Sequence, residues 1–151
     1  MKKLTKILSV VMVLVMATML LASCSSKYSA LKSAFEAKGF EENTTFTGVS
    51  NKIKEELGKE EYAVELHLLT DKSNGLTSAL IIEFKSTKEL VEAYEDCATL
   101  QGLVKDISES EDTQKVYDAM VNAGYAKGNC LIVPLSILYA SDITDIVKSV
   151  K

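Results

Sequence analysis

The chain has no arginine and no tryptophan, and only one histidine and one proline among its 151 residues. Without arginine there is no planar fork to read phosphates or base edges. No cluster of lysines takes its place, so nucleic acid is not an expected partner. With a single histidine and no suitable cysteine partner, the chain shows neither a zinc motif nor a nucleophilic triad. No metal, no cofactor and no catalytic residue are therefore expected, and the chain does not read as an enzyme. There is no repeat and no low-complexity tract.

Cysteine is scarce as well. Cys24, Cys97 and Cys130 fit no metal-binding spacing. In an exported protein the last two form an even pair, for which a disulfide is chemically permitted. The simpler expectation is two small buried apolar residues.

Hydrophobic length is short where it matters most. Lys2, Lys3 and Lys6 precede an apolar run from Ile7 to Ala22, 16 residues interrupted by Ser9 and Thr18. About 20 are needed to span a bilayer. A basic start, a short apolar middle and small residues at the exit are the marks of a secretory signal peptide. Leu21-Ala22-Ser23-Cys24 resembles the lipobox of bacterial lipoproteins. The resemblance implies cleavage between Ser23 and Cys24 and a diacylglyceryl thioether on Cys24. It places the protein on the outer face of the cytoplasmic membrane, held there by the lipid. Two acyl chains meet the requirement for stable anchoring without a spanning helix.

Residues 1–23 form the expected leader, 24–29 the lipidated cysteine and a short polar tether, and 30–151 a single domain. The leader takes three lysines with it, so the formal charge moves from −4 to −7 in the remainder. Such a body is mildly repelled by an anionic membrane face.

Within the body, Leu31, Ala34 and Phe35 fall at helical spacing, with Gly39 as a stop. Residues 41–61 read as an irregular connection with one or two helical turns near Ile53 and Leu57. Asn43-Thr44-Thr45 matches a glycosylation sequon, taken as accidental in a bacterial lipoprotein. Val64, Leu66 and Leu68 alternate with Glu65 and His67. Leu80, Ile82 and Phe84 alternate with Glu83 and Lys85 beyond an Asn74-Gly75 turn signal. This period of two predicts an antiparallel hairpin, 62–70 with 77–85. Ser86 and Glu89 form a capping-box pattern opening a helix whose apolar stripe runs from Leu90 through Cys97 to Ile107. A second helix carries Val116 to Val121 and stops at Gly124. Residues 130–135 read as a buried strand with Pro134 at an edge or bulge, and a last helix carries Ile143 to Val150.

The predicted class is α+β: a small, mostly antiparallel sheet with helices packed on one face, ferredoxin-like or else cystatin-like. The run Ile81-Ile82-Glu83-Phe84-Lys85-Ser86 entering a Glu- and Lys-rich helix, with Gly128-Asn129 before an apolar strand, is similar to small surface lipoproteins of low-GC Gram-positive bacteria. That resemblance implies a shared fold and carries over no catalytic residue.

His67 is expected to be a solvated strand residue beside charged neighbours. Its alternative role is in a ligand or enzyme site with Glu65 and Glu83, which share its face of the hairpin. Asp106, Glu109, Glu111 and Asp112 lack the glycine of a calcium loop and read as a negative helix N-terminus. Tyr62, Tyr94, Tyr117, Tyr125 and Tyr139 read as scattered core residues, with a binding groove as the alternative. The expected function is a non-catalytic module that binds an envelope protein, peptide or other envelope component. The alternative is a small-ligand binder or envelope enzyme around His67.

Overall fold

The computed structural model describes residues 27–105, 107 and 110–151. The signal segment, Ser23 and Cys24 lie outside the described residues, as do Asp106 and Glu109 of the acidic stretch.

The first described residues, 27–36, are helical (α1). Strand β1 (Phe40–Asn43), helix α2 (Gly48–Lys59), and strands β2 (Glu65–Asp71) and β3 (Ser78–Glu83) follow. Next come α3 (Thr87–Asp96), α4 (Ala98–Leu103), α5 (Thr113–Ala123), β4 (Ala126–Lys127), β5 (Cys130–Pro134) and α6 (Ala140–Ser149). A 3-10 turn at Ile137–Tyr139 leads into α6. The five strands form one sheet in the order β1-β2-β3-β5-β4, with every neighbouring pair antiparallel.

The α+β class and the hairpin stand, but the packing of helices on one face does not. Leu80, Ile82, Leu131 and Val133 pack with residues of α2, α3, α4 and α5 in one core cluster. Ala79, Ile81, Cys130 and Ile132 pack with Leu31 and Phe35 of α1 and Ile143 and Val147 of α6 in another. The sheet is therefore covered on both sides. The reason lies in β3 and β5, which read Ala79-Leu80-Ile81-Ile82 and Cys130-Leu131-Ile132-Val133. A strand buried on both faces reads as a continuous apolar run, and only one half-exposed alternates. One-faced arrangements of the ferredoxin-like or cystatin-like kind do not describe this sheet.

Cys97 belongs to the first cluster and Cys130 to the second, on opposite faces of the sheet. No disulfide joins them; each is a small buried side chain. Pro134 sits where a missing donor is tolerated. Leu135 N–H bonds Ser78 C=O on the β3 side, and Ile132 N–H bonds Tyr125 C=O on the β4 side. By alternation the Pro134 nitrogen faces the β4 side, where that two-residue strand has already ended.

The long helix predicted from Ser86 is broken. Its start is as expected, with Ser86 Oγ accepting from Glu89 N–H. Cys97, however, takes an extended conformation (φ −109°, ψ 102°) that divides α3 from α4. Glu56 on α2 explains the break. Its carboxylate accepts from the Cys97 thiol at 2.8 Å, from Thr99 Oγ1 at 2.8 Å and from Thr99 N–H at 3.4 Å. It caps α4 from another helix, compensating orphaned donors at the start of a six-residue helix. These donors hold the Glu56 carboxyl below the ordinary glutamate range, the thiol hydrogen bond being the largest cause. Burial, then the carboxylate beside it, pushes the Cys97 thiol up to about 11.

Glu56→Ala is therefore expected to cost about 1–2 kcal/mol. It should also speed Cys97 alkylation, since a raised pKa keeps the thiolate scarce. A folded-state pKa below the unfolded value gives stability that is complete above the ordinary glutamate range and fades as pH falls through the folded value. The stability gap between wild type and Glu56→Gln should thus close on acidification, as read by urea titrations at neutral and acid pH.

Candidate functional site

Antiparallel pairing and the two-residue period of a strand build the site. Glu65, His67 and Leu69 share one face of β2. Glu65 stands opposite Glu83, and His67 opposite Ile81, across the hairpin. β1 lies on the other side of β2, with Glu42 opposite Leu69 and Asn43 opposite Leu68. Leu69 and Ile81 are buried beneath α1 and α6, so the charged residues occupy the margin of that covered face. From α1, Tyr28 lays its ring on the His67 imidazole, with centroids 3.6 Å apart and planes 19° from parallel.

His67 is not the solvated residue expected from the sequence. Its side chain is only 16 % exposed, because Tyr28 covers it. The three residues suspected of forming a site are brought together: Nε2 of His67 lies 3.9 Å from Glu65 Oε2 and 3.8 Å from Glu83 Oε2. Nδ1 lies 3.1 Å from Glu42 Oε1.

Glu42 also accepts from Tyr28 OH at 3.0 Å and Lys32 Nζ at 2.6 Å. Lys32, then His67, are the main causes that bring its carboxyl down to about 2. Glu42 is thus ionised and can only accept, which assigns a hydrogen to His67 Nδ1. Glu83 is shifted the other way: burial, then the charge of Glu65, raises its pKa.

Sequence reasoning did not find Glu42, Lys32 or Tyr28. β1 has four residues with one buried position, too few to show alternation. Residues 27–29, expected within a tether, are helical, because Tyr28 is fixed by His67 and Glu42.

The other candidates fall into structural roles. Tyr62, Tyr94, Tyr117 and Tyr125 surround one core cluster. Of these, Tyr62 OH donates to Asp96 at 2.6 Å and Tyr117 OH to Gly128 C=O at 2.8 Å. Tyr139 lies elsewhere, so the tyrosines line no common groove. Asp112 caps α5 by accepting from Gln114 N–H.

A cleft of about 560 Å³ opens at the far end of the sheet, between the β2–β3 connection and the start of α6. Asp71, Asp142, Asp145, Lys38 and Tyr139 are among its lining residues. Leu76, Ile137 and Leu138 lie in the segments bordering it and are 77 %, 66 % and 85 % exposed. Among the described residues no helix is long and apolar enough to cross a membrane.

No protein-family model, curated protein or solved structure matches the chain.

Proposed function

We propose that the protein is a lipid-anchored, extracytoplasmic, non-catalytic module that binds an envelope protein or peptide through the end of its sheet farthest from the anchor. The observation that carries this reading is the concentration of exposed apolar side chains at that end. Val49 is the only other large apolar residue exposed among those described. Isolated exposed leucines are ordinary, whereas apolar side chains gathered beside a cleft mark interaction sites. Asp71, Asp142 and Asp145 against Lys38 give the cleft an acidic character, which favours a partner carrying basic as well as apolar side chains.

The anchor geometry supports the same reading. Tyr28 lies on His67, and Lys27 lies against Gly128, at the end of the sheet where Glu65, Glu83 and Cys130 align. The apolar residues border the opposite end, beyond Asp71 and Ser78. The seven residues of β2 separate the two ends by roughly 20 Å at 3.3 Å per residue. Residues 24–26 reach at most about 11 Å when extended. A lipid on Cys24 therefore holds the His67 end near the bilayer and presents the apolar end outward.

In-cell crosslinking of the lipidated protein should capture a defined envelope partner. Leu76→Ser with Leu138→Ser should abolish capture without altering membrane retention or folding. Cys24→Ala should release the protein or leave an uncleaved precursor. Capture unaffected by the leucine substitutions would refute the assigned surface, and unchanged retention with normal processing of Cys24→Ala would refute the anchor.

A further inference from the structure

Beyond that binding role, we propose that Glu65, His67 and Glu83 form a site for a divalent transition-metal ion, zinc foremost, with Glu42 as the residue that positions the imidazole.

The starting point is a polar atom with nothing to bond. Nε2 of His67 is buried and has no hydrogen-bond partner. The carboxylate oxygens nearest it, at 3.8 and 3.9 Å, are beyond the reach of an N–H···O bond. With Nδ1 bonded to Glu42, Nε2 faces the gap between two carboxylates. One buried nitrogen and two carboxylate oxygens converging on one gap are the donors a cation needs. Among the described residues no lysine pairs with Glu65 or Glu83, and the nearby Lys32 is held by Glu42 and Glu36.

The donor geometry suits a small first-row ion. The three ligand atoms lie within 4.8 Å of one another. Zinc bonds to nitrogen and oxygen at about 2.0–2.2 Å, which sets neighbouring donors in a tetrahedron roughly 3.4 Å apart. Reaching that spacing takes up to about 1.4 Å between the farthest pair, a movement that side-chain torsion covers, and Glu65 is free to supply it, being 79 % exposed. The same exposure leaves the fourth position open to water. One imidazole with two carboxylates is a donor set for zinc or its neighbours; calcium prefers six to eight oxygens.

Glu42 fills the outer position characteristic of such sites. A metal-bound histidine ordinarily donates its other N–H to a carboxylate, which fixes the tautomer and the ring. Here the carboxylate is itself secured by Lys32 and Tyr28, and Tyr28 fixes the ring plane by stacking. Zinc motifs read along a sequence miss this set, because Glu65 and His67 are two apart on a strand and Glu83 comes from the next one.

The test is a zinc chloride titration of the full lipidated chain, metal-stripped and held in detergent, by calorimetry and by competition with a chromophoric chelator. The expected result is one zinc per chain, with at least 100-fold weaker binding in both His67→Gln and Glu83→Gln. Glu42→Gln should weaken binding by about 10–100-fold and alter the imidazole NMR signals of the zinc-loaded protein. If His67→Gln does not fold, Glu83→Gln decides alone. Absence of saturable binding at one equivalent, binding unchanged in Glu83→Gln, or tighter binding of calcium than of zinc would each overturn the proposal. The leucine substitutions at the other end of the sheet should leave the titration unchanged, so this site and the docking surface fail or succeed separately.

Discussion

Phe35→Ala is expected to remove about 3–5 kcal/mol of folding stability, the range for truncating a fully buried aromatic side chain. Domains of this size are stable by about 5–15 kcal/mol, so the loss is a large fraction of the total. Phe35 is fully buried and meets Phe40 edge to face, with centroids 5.1 Å apart and planes at 79°. It shares its core cluster with Leu31, Ile81, Ile132 and Ile143, and thereby clamps α1 onto the sheet and α6. The neighbouring residues belong to a sheet and a helix already fixed by other contacts, so they cannot close the cavity. The aromatic pair adds about 0.5–1.5 kcal/mol beyond buried area, and Phe35→Ala with Phe40→Ala should therefore lose less than the sum of the single changes. Urea unfolding should show the effect as a lower midpoint at constant slope. A loss under about 1 kcal/mol would mean that α1 contributes little to the core. The consequence reaches the candidate site, because Tyr28 and Lys32 ride on the same helix.

The sequence reveals an element when one segment contains the whole pattern that determines it. Strands β2 and β3 could be paired from alternation alone, and their pairing brings Glu65, His67 and Glu83 together. The cap at Ser86 and the stop at Gly124 were legible for the same reason, each lying within one turn of its helix. Features determined by distant partners were not legible. The stripe from Leu90 to Leu100 looks continuous because Cys97 remains apolar and buried; what interrupts the helix is Glu56, 41 residues earlier. The burial of His67 depends on Tyr28 and Glu42, 39 and 25 positions away. The second covered face was visible in principle in the unbroken apolar runs of β3 and β5. Pairing them with helices 27–36 and 140–149, from the two ends of the described chain, requires the tertiary structure.

Gly124→Ala should cost about 2–5 kcal/mol, for two reasons that can be measured apart. The residue ends α5 at φ 87°, with Tyr125 N–H reaching back to Met120 C=O at 2.8 Å. An L residue in that left-handed conformation costs about 1–2 kcal/mol. A Cβ there would also stand 2.7 Å from Thr144 O and 2.9 Å from Thr144 Cβ of α6. The Lys148 side chain, 3.1 Å away, can swing aside, but the Thr144 backbone cannot move without shifting α6 from the sheet. Overpacking of that kind adds about 1–3 kcal/mol. Gly39 supplies the control: it has a similar φ of 91° and nothing within 4 Å of a built Cβ. Gly39→Ala should therefore register the conformational cost alone, and the excess in Gly124→Ala measures how closely α5 is seated against α6. Equal losses in the two variants would show that α6 yields at no cost, which is incompatible with Ile143 and Val147 being locked in the core beneath it.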